Sequence, residues 1–150
     1  MAQFNMLKFQ QNAVEELTTQ FKAIWLANYD NLHEIVFKSP TGSGKTFMVS
    51  NFINGLHTQP DWNEDVAFVW ITFSDDLAMQ SRDKFFEYFH PNIGNQLLTV
   101  QDFNQGTLKR NDILFLNWQK ISTEKADKRV LRRPEDERLY KEKGYYFEDI

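Results

Sequence analysis

Cysteine is absent from the 150 residues, so neither a disulfide nor a thiolate metal site holds this chain together. A reducing, cytoplasmic setting fits that absence. Long hydrophobic runs are missing too, and the stretch from Met1 to Gln10 lacks the basic and apolar blocks of a signal peptide; neither membrane insertion nor export is expected. A basic excess is also lacking. The formal net charge is −4, whereas a dedicated nucleic-acid binder usually carries positive charge to displace counterions from phosphates. The acidity sits in residues 61–121, while residues 1–60 and 122–150 are balanced. There is no internal repeat and no low-complexity segment. What is present is aromatic mass: 14 Phe and 4 Trp within a 41% hydrophobic composition, which excludes a disordered chain and predicts a Phe-rich core. The length suits one domain or a piece of a larger one.

The most informative run is Ser39-Pro-Thr-Gly-Ser-Gly-Lys-Thr46, between the apolar Ile35-Val36-Phe37 and the helix-like Phe47 to Leu56. A loop of this composition turns sharply from a strand into a helix, so that backbone N–H groups and the positive helix end converge on phosphate oxygens. Gly42 and Gly44 supply permissive dihedrals and allow close approach. Lys45 is placed to reach β- and γ-phosphates, and the Thr46 hydroxyl to ligate the Mg²⁺ that bridges them. Ser39 stands where such loops usually have glycine.

Around this loop the pattern alternates. Val14, Leu17, Phe21, Ile24 and Trp25 recur at helical spacing, with Glu15, Glu16, Gln20 and Lys22 on the other face. Glu34 to Lys38 reads as the strand feeding the loop, and Lys45 to Leu56 as the helix leaving it. Val66 to Ile71 is a continuous apolar run, predicted to be a strand buried on both faces. Leu77 to Phe89 reads as a helix, with Leu77, Phe85 and Phe89 on one buried face, stopped by Pro91. Leu97 to Val100 and Asp112 to Asn117 are further strand candidates, and Pro134 to Lys143 a charged helix before the aromatic Gly144 to Phe147. The alternation predicts an α/β fold: a mainly parallel sheet with helices on both faces and nucleotide at the carboxyl ends of the strands.

Four stretches together resemble the superfamily 2 helicase-like motors, and most closely the restriction (Res) subunit of type III restriction enzymes, the ResIII family. Phe9-Gln10-Gln-Asn-Ala13-Val14 is similar to the family's adenine-recognition element; a Gln amide offers the donor and acceptor that the adenine edge requires. Pro40-Thr41-Gly42-Ser43-Gly44-Lys45-Thr46 looks like the superfamily's Walker A loop, in which a small residue is common at the Ser39 position. Val69-Trp-Ile-Thr72, with Leu77 and Gln80, is similar to the segment that touches the nucleic-acid backbone; capping of a helix by Ser74 or Asp75 explains the same residues equally well. Ile113 to Ile121 resembles a strand-end element of type III subunits, with Trp118 either stacking or core.

The resemblance implies a partial RecA-like P-loop NTPase domain over residues 1–121 and a charged helical segment over 122–150, ending before the acidic Walker B motif. It implies ATP and Mg²⁺ as cofactors, with Gln10, Pro40, Thr41, Gly42, Ser43, Gly44, Lys45 and Thr46 around the nucleotide. Lys45 and Thr46 would be catalytic, Thr46 the Mg²⁺ ligand, and Thr72 and Gln80 the nucleic-acid contacts. The parent would be a DNA-translocating ATPase or restriction endonuclease acting on double-stranded DNA, with a modification methyltransferase as possible partner. No Asp-Glu-x-His element follows an apolar strand, so this chain alone is expected to hold ATP without hydrolysing it. A type I restriction motor, a repair helicase and a non-catalytic nucleotide- or partner-binding remnant are the alternatives. A small P-loop kinase is disfavoured, since neither a lid nor a basic acceptor cluster is evident.

Overall fold

The computed structural model describes residues 5–27, 33–89, 96–102 and 107–122, together with the backbone of 131–132 and 145–146. The chain divides into two compact units, Met1–Asn63 with Glu87–His90, and Glu64–Phe86 with Pro91–Ile150.

In the first unit, α1 (Lys8–Ala27) packs on α2 (Lys45–Thr58). The apolar stripe read in the sequence forms the seam. Phe21 meets Phe52 edge-on at 5.3 Å between ring centroids, and Trp62, from the loop after α2, lies 5.8 Å from Phe21 and 5.9 Å from Trp25. Met48, Phe52, Ile53 and Leu56 of α2 are buried with Val14 of α1. Lys22, assigned by periodicity to the polar face, is half-buried instead. Its ammonium lies over Trp62, 5.8 Å from the ring centroid, and Nζ donates to Asp61 at 3.0 Å and to Gln59. A long aliphatic stem with a charged tip can cover an aromatic while its head stays wet. That donation from Lys22 holds the Asp61 carboxyl below the ordinary carboxylate range.

The segment predicted as the strand before the loop departs from expectation. Residues 33–40 are irregular. Ile35 and Phe37 are half-buried while Glu34, Val36 and Lys38 are exposed, the alternation of an extended chain. A strand, however, is defined by its ladder partner, and the described elements of this unit are helices.

The second unit is a three-stranded parallel sheet flanked by helices: β1 (Phe68–Thr72), α3 (Asp75–Tyr88, of which residues 75–86 fall in this unit), β2 (Leu97–Thr99), β3 (Ile113–Asn117) and α4 (Gln119–Ser122). The order is β1-β3-β2, with Phe68 paired to Ile113 and Leu97 to the same residue from the other side. All five residues of β3 are buried. The two-sided burial read on Val66 to Ile71 therefore belongs to β3, because β3 is central and β1 lies at an edge with Ile71 exposed. On α3, Ala78 and Phe85 face inward, two turns apart, whereas Leu77 is exposed. Phe85 is fully buried and meets Trp70 at 4.9 Å and Phe115 at 5.2 Å, both edge-on. This is the Phe-rich core the composition implied. Before β3, Asn111 adopts a left-handed φ of 71°, which Asn tolerates, and its N–H donates to the Val66 carbonyl at 2.9 Å. Of residues 122–150, the described backbone beyond Ser122 is a parallel pair of two-residue strands, β4 (Leu131–Arg132) and β5 (Tyr145–Tyr146). The helix expected over Pro134 to Lys143 lies outside the described residues.

Two outcomes test this packing. Phe85→Ala removes the ring that fills the sheet–helix core and is expected to cost about 3–5 kcal/mol, measured by urea unfolding. Asp102 accepts from Thr99 Oγ1 at 2.6 Å, Thr99 N at 3.1 Å and Arg82 Nη1 at 3.3 Å, tying the end of β2 to α3. The hydrogen bonds from Thr99, then the Arg82 charge, hold its carboxyl below the ordinary range. A depressed folded-state value adds stability that is fully present above the unfolded value, about 4, and is lost as pH falls through the folded value. Stability measured against pH should therefore decline less steeply below pH ~4 in Asp102→Asn than in the unaltered chain.

Candidate functional site

The loop from Ser39 to Thr46 and the start of α2 form the most elaborated polar constellation of the first unit. Pro40 opens a turn closed by the Ser43 N–H, which donates to the Pro40 carbonyl at 3.2 Å. The Ser43 hydroxyl donates to the same carbonyl at 2.7 Å and also contacts the Ser39 hydroxyl. Lys45 folds back over the loop, its ammonium donating to the carbonyls of Ser39 at 2.8 Å and Pro40 at 3.0 Å. The chain then enters α2 through Gly44, whose φ of 86° and ψ of 36° are left-handed; Gly42, two residues earlier, has φ 79°. Only glycine takes two such positions in close succession without strain.

The electrostatics at this helix start favour an anion. α2 has no side-chain cap and no acidic residue in its first turn. The first N–H groups of a helix have no intrahelical acceptor, and a side-chain oxygen normally satisfies them. Here the helix presents that end with Lys45 and Thr46 as its first two residues. These features fit a triphosphate with Mg²⁺. Gly42 has open space where a Cβ would project, and the uncapped helix start, an ammonium and a hydroxyl lie on one short segment.

Gln10 joins the same site from α1. It is 8% exposed, with Oε1 accepting the Leu7 N–H at 2.9 Å and Nε2 donating to the Ser43 carbonyl at 2.9 Å. The structure thus brings Gln10 together with Pro40, Thr41, Gly42, Ser43, Gly44, Lys45 and Thr46. That Gln10 reaches the loop backbone was not legible from its residue type. Its position at N3 of a helix is the one available signal, since a Gln there often turns back to the helix start. A separate cleft of about 540 Å³ runs between Ala13 and Leu17 of α1 and Ile35 and Phe37, with Glu16, Gln20 and Lys38 among its polar lining.

Thr72 and Gln80 belong to the second unit. Thr72 ends β1, and its hydroxyl donates to the Ser74 carbonyl at 2.8 Å. Ser74 Oγ accepts the Leu77 N–H at 3.3 Å, so of the two capping candidates it is Ser74 that serves the start of α3. Asp75 takes the Lys120 ammonium at 2.8 Å. Gln80 is exposed on α3. Beside Thr72, at the carboxyl end of β3, Asn117 Oδ1 accepts the Lys120 N–H at 2.9 Å and starts α4, a capping role the sequence reading did not assign. Trp118 follows, 54% exposed, with its N–H donating to the Thr72 carbonyl at 2.8 Å. Among the described residues no helix is long and apolar enough to cross a membrane, and no cluster of three or more His, Cys, Asp or Glu could hold a metal.

Among protein families, the model described as type III restriction enzyme, res subunit, matches residues 3–149. No curated protein and no solved structure matches the chain.

The two left-handed glycines differ in surroundings, and substitution should separate them. Alanine at Gly42 meets open space and bears only the backbone strain, about 1–2 kcal/mol. Alanine at Gly44 bears the same strain, and its Cβ also comes within 2.8 Å of Gln10 Nε2. Urea unfolding should rank Gly44→Ala as the less stable; equal stabilities would contradict the contact with Gln10.

Proposed function

Because the chain belongs to the family of type III restriction enzyme res subunits, a P-loop NTPase-like, helicase-related family, we propose that it is the nucleotide-binding part of a DNA-translocating ATPase of a restriction system. The observation that carries this reading is the uncapped start of α2, entered through left-handed Gly44 and headed by Lys45 and Thr46.

In this reading the backbone N–H groups of Gly42, Gly44, Lys45 and Thr46 hold phosphate oxygens of ATP, while that of Ser43 stays on the Pro40 carbonyl. Lys45 releases the Ser39 and Pro40 carbonyls and turns to the β- and γ-phosphates; a cation already satisfied by two neutral carbonyls gains from exchanging them for anionic oxygens. Thr46 offers its hydroxyl to Mg²⁺. That ion, when bound, offsets the charge shared by the β- and γ-phosphates. Pro40 and Thr41 keep the turn tight, so that the loop wraps the phosphates without a large rearrangement. In the second unit, Thr72 and Gln80 lie on the segment assigned to the backbone of double-stranded DNA, where hydroxyl and amide groups suit contacts that ignore sequence. A modification methyltransferase is the partner expected of such a subunit, and the cytoplasm its compartment.

Hydrolysis is a separate matter. It requires a carboxylate to hold the metal shell and another to orient water, and the sequence has no Asp-Glu-x-His element after an apolar strand. The chain is therefore proposed to bind nucleotide with negligible turnover.

Calorimetric titration with Mg·ATP should show binding that weakens by at least roughly tenfold in Lys45→Ala, the loss of a charge-assisted contact to phosphate. Unchanged affinity in Lys45→Ala would overturn the assignment of the loop. Steady-state phosphate release by the pure chain should stay at background, and release that depends on Lys45 would refute the non-hydrolytic part.

A further inference from the structure

We infer that Gln10 is a positioning residue for the phosphate-binding loop, acting on the phosphates through the Ser43–Gly44 peptide and independently of the base. The inference rests on the nucleotide reading above and deepens it. Gln10 is the third residue of α1, and its Oε1 accepts the N–H of Leu7, the residue just before the helix. This is the Gln half of a capping box, and it anchors the oxygen of the side-chain amide. The other end of the amide, Nε2, donates to the Ser43 carbonyl at 2.9 Å across 33 positions of sequence. The side chain is almost wholly buried, so few other rotamers are open to it.

The consequence follows from peptide geometry. A trans peptide is planar, and its C=O and N–H point in opposite directions. Holding the Ser43 carbonyl toward α1 therefore turns the Gly44 N–H away from α1, onto the opposite edge of the loop. Gly44 is the one residue between Ser43 and α2, and its backbone is left-handed, a region in which glycine has wide freedom to rotate. Without an external tether that peptide would be the least constrained point of the loop. Gln10 supplies the tether, and Gly44 leaves room for it: a Cβ at Gly44 would stand 2.8 Å from Gln10 Nε2. The remaining loop bonds, from Ser43 and Lys45, converge on the carbonyls of Ser39 and Pro40 and leave the Ser43 carbonyl to Gln10. A Gln amide has two N–H groups and an oxygen with two lone pairs, so the brace uses half of its capacity. The brace and any base contact are accordingly separable by experiment.

Two variants and three ligands separate them. Gln10→Glu keeps the acceptor for Leu7 and loses the donor to Ser43; Gln10→Leu loses both and adds no charge. In amide spectra of the ¹⁵N-labelled chain, both variants are expected to move the Gly44 resonance. Both variants should unfold in a single cooperative thermal transition, so that the moved resonance reports the loop and not a lost fold. In Gln10→Leu, affinities for ATP, GTP and inorganic tripolyphosphate should fall by one common factor, about fivefold, as for one lost hydrogen bond. A drop for ATP with tripolyphosphate unchanged would overturn the brace and assign Gln10 to the base. A Gly44 resonance unmoved in both variants would overturn it as well. If the unaltered chain binds none of the three ligands, the nucleotide reading fails, and the Gly44 resonance alone decides the brace.

Discussion

Left-handed backbone at Gly44 is the constraint on which the site depends. At that residue the chain stops turning as a loop and starts as α2, and the Gly44 carbonyl takes the first intrahelical bond, from Met48 N–H at 2.8 Å. The entry leaves the helix start uncapped and open, and brings Ser43 and Lys45 back over the Pro40 carbonyl. Both the strain of φ 86° and the proximity of Gln10 demand a residue with no side chain. The aromatic seam of Phe21, Trp25, Phe52 and Trp62 holds α1 against α2, which keeps Gln10 in reach of the loop. Core packing and site geometry in the first unit are thus one arrangement.

The second unit is organised around β3, whose five buried residues pair on both sides and carry Phe115 into the cluster with Trp70 and Phe85. Its strands run parallel, and their carboxyl ends carry Thr72, Asn117 and Trp118. Helix starts there are fixed by Ser74 and Asn117, each accepting the N–H three residues ahead.

Features set by residue chemistry could be read directly from the sequence. Two glycines, a lysine and a threonine in that spacing announce a loop entering a helix, and α2 begins at Lys45 as expected. The heptad-like stripe of α1, the helix at α3 and the strands β2 and β3 were legible for the same reason, since periodicity reports which face is buried. Features that depend on partners were not. Ile35 to Phe37 has the composition of a strand, but a strand exists only through a neighbour's ladder. Whether β1 or β3 would be central is a matter of topology, and both are apolar runs of five or six. Lys22 lies on a nominally polar face, and Trp62, forty residues on, draws it inward. Gln10 could be seen as a polar residue near a helix start, but its bond to Ser43 spans a distance in sequence that no local pattern encodes.

Nucleotide is proposed to bind at the loop from Ser39 to Thr46. Titrating the ¹⁵N-labelled chain with Mg·ATP and following every amide resonance tests it most directly. Saturable shifts are expected to concentrate at Thr41 to Phe47, with Gly42 and Gly44 among the largest. Saturable shifts centred elsewhere in the chain, with these amides unmoved, would contradict it.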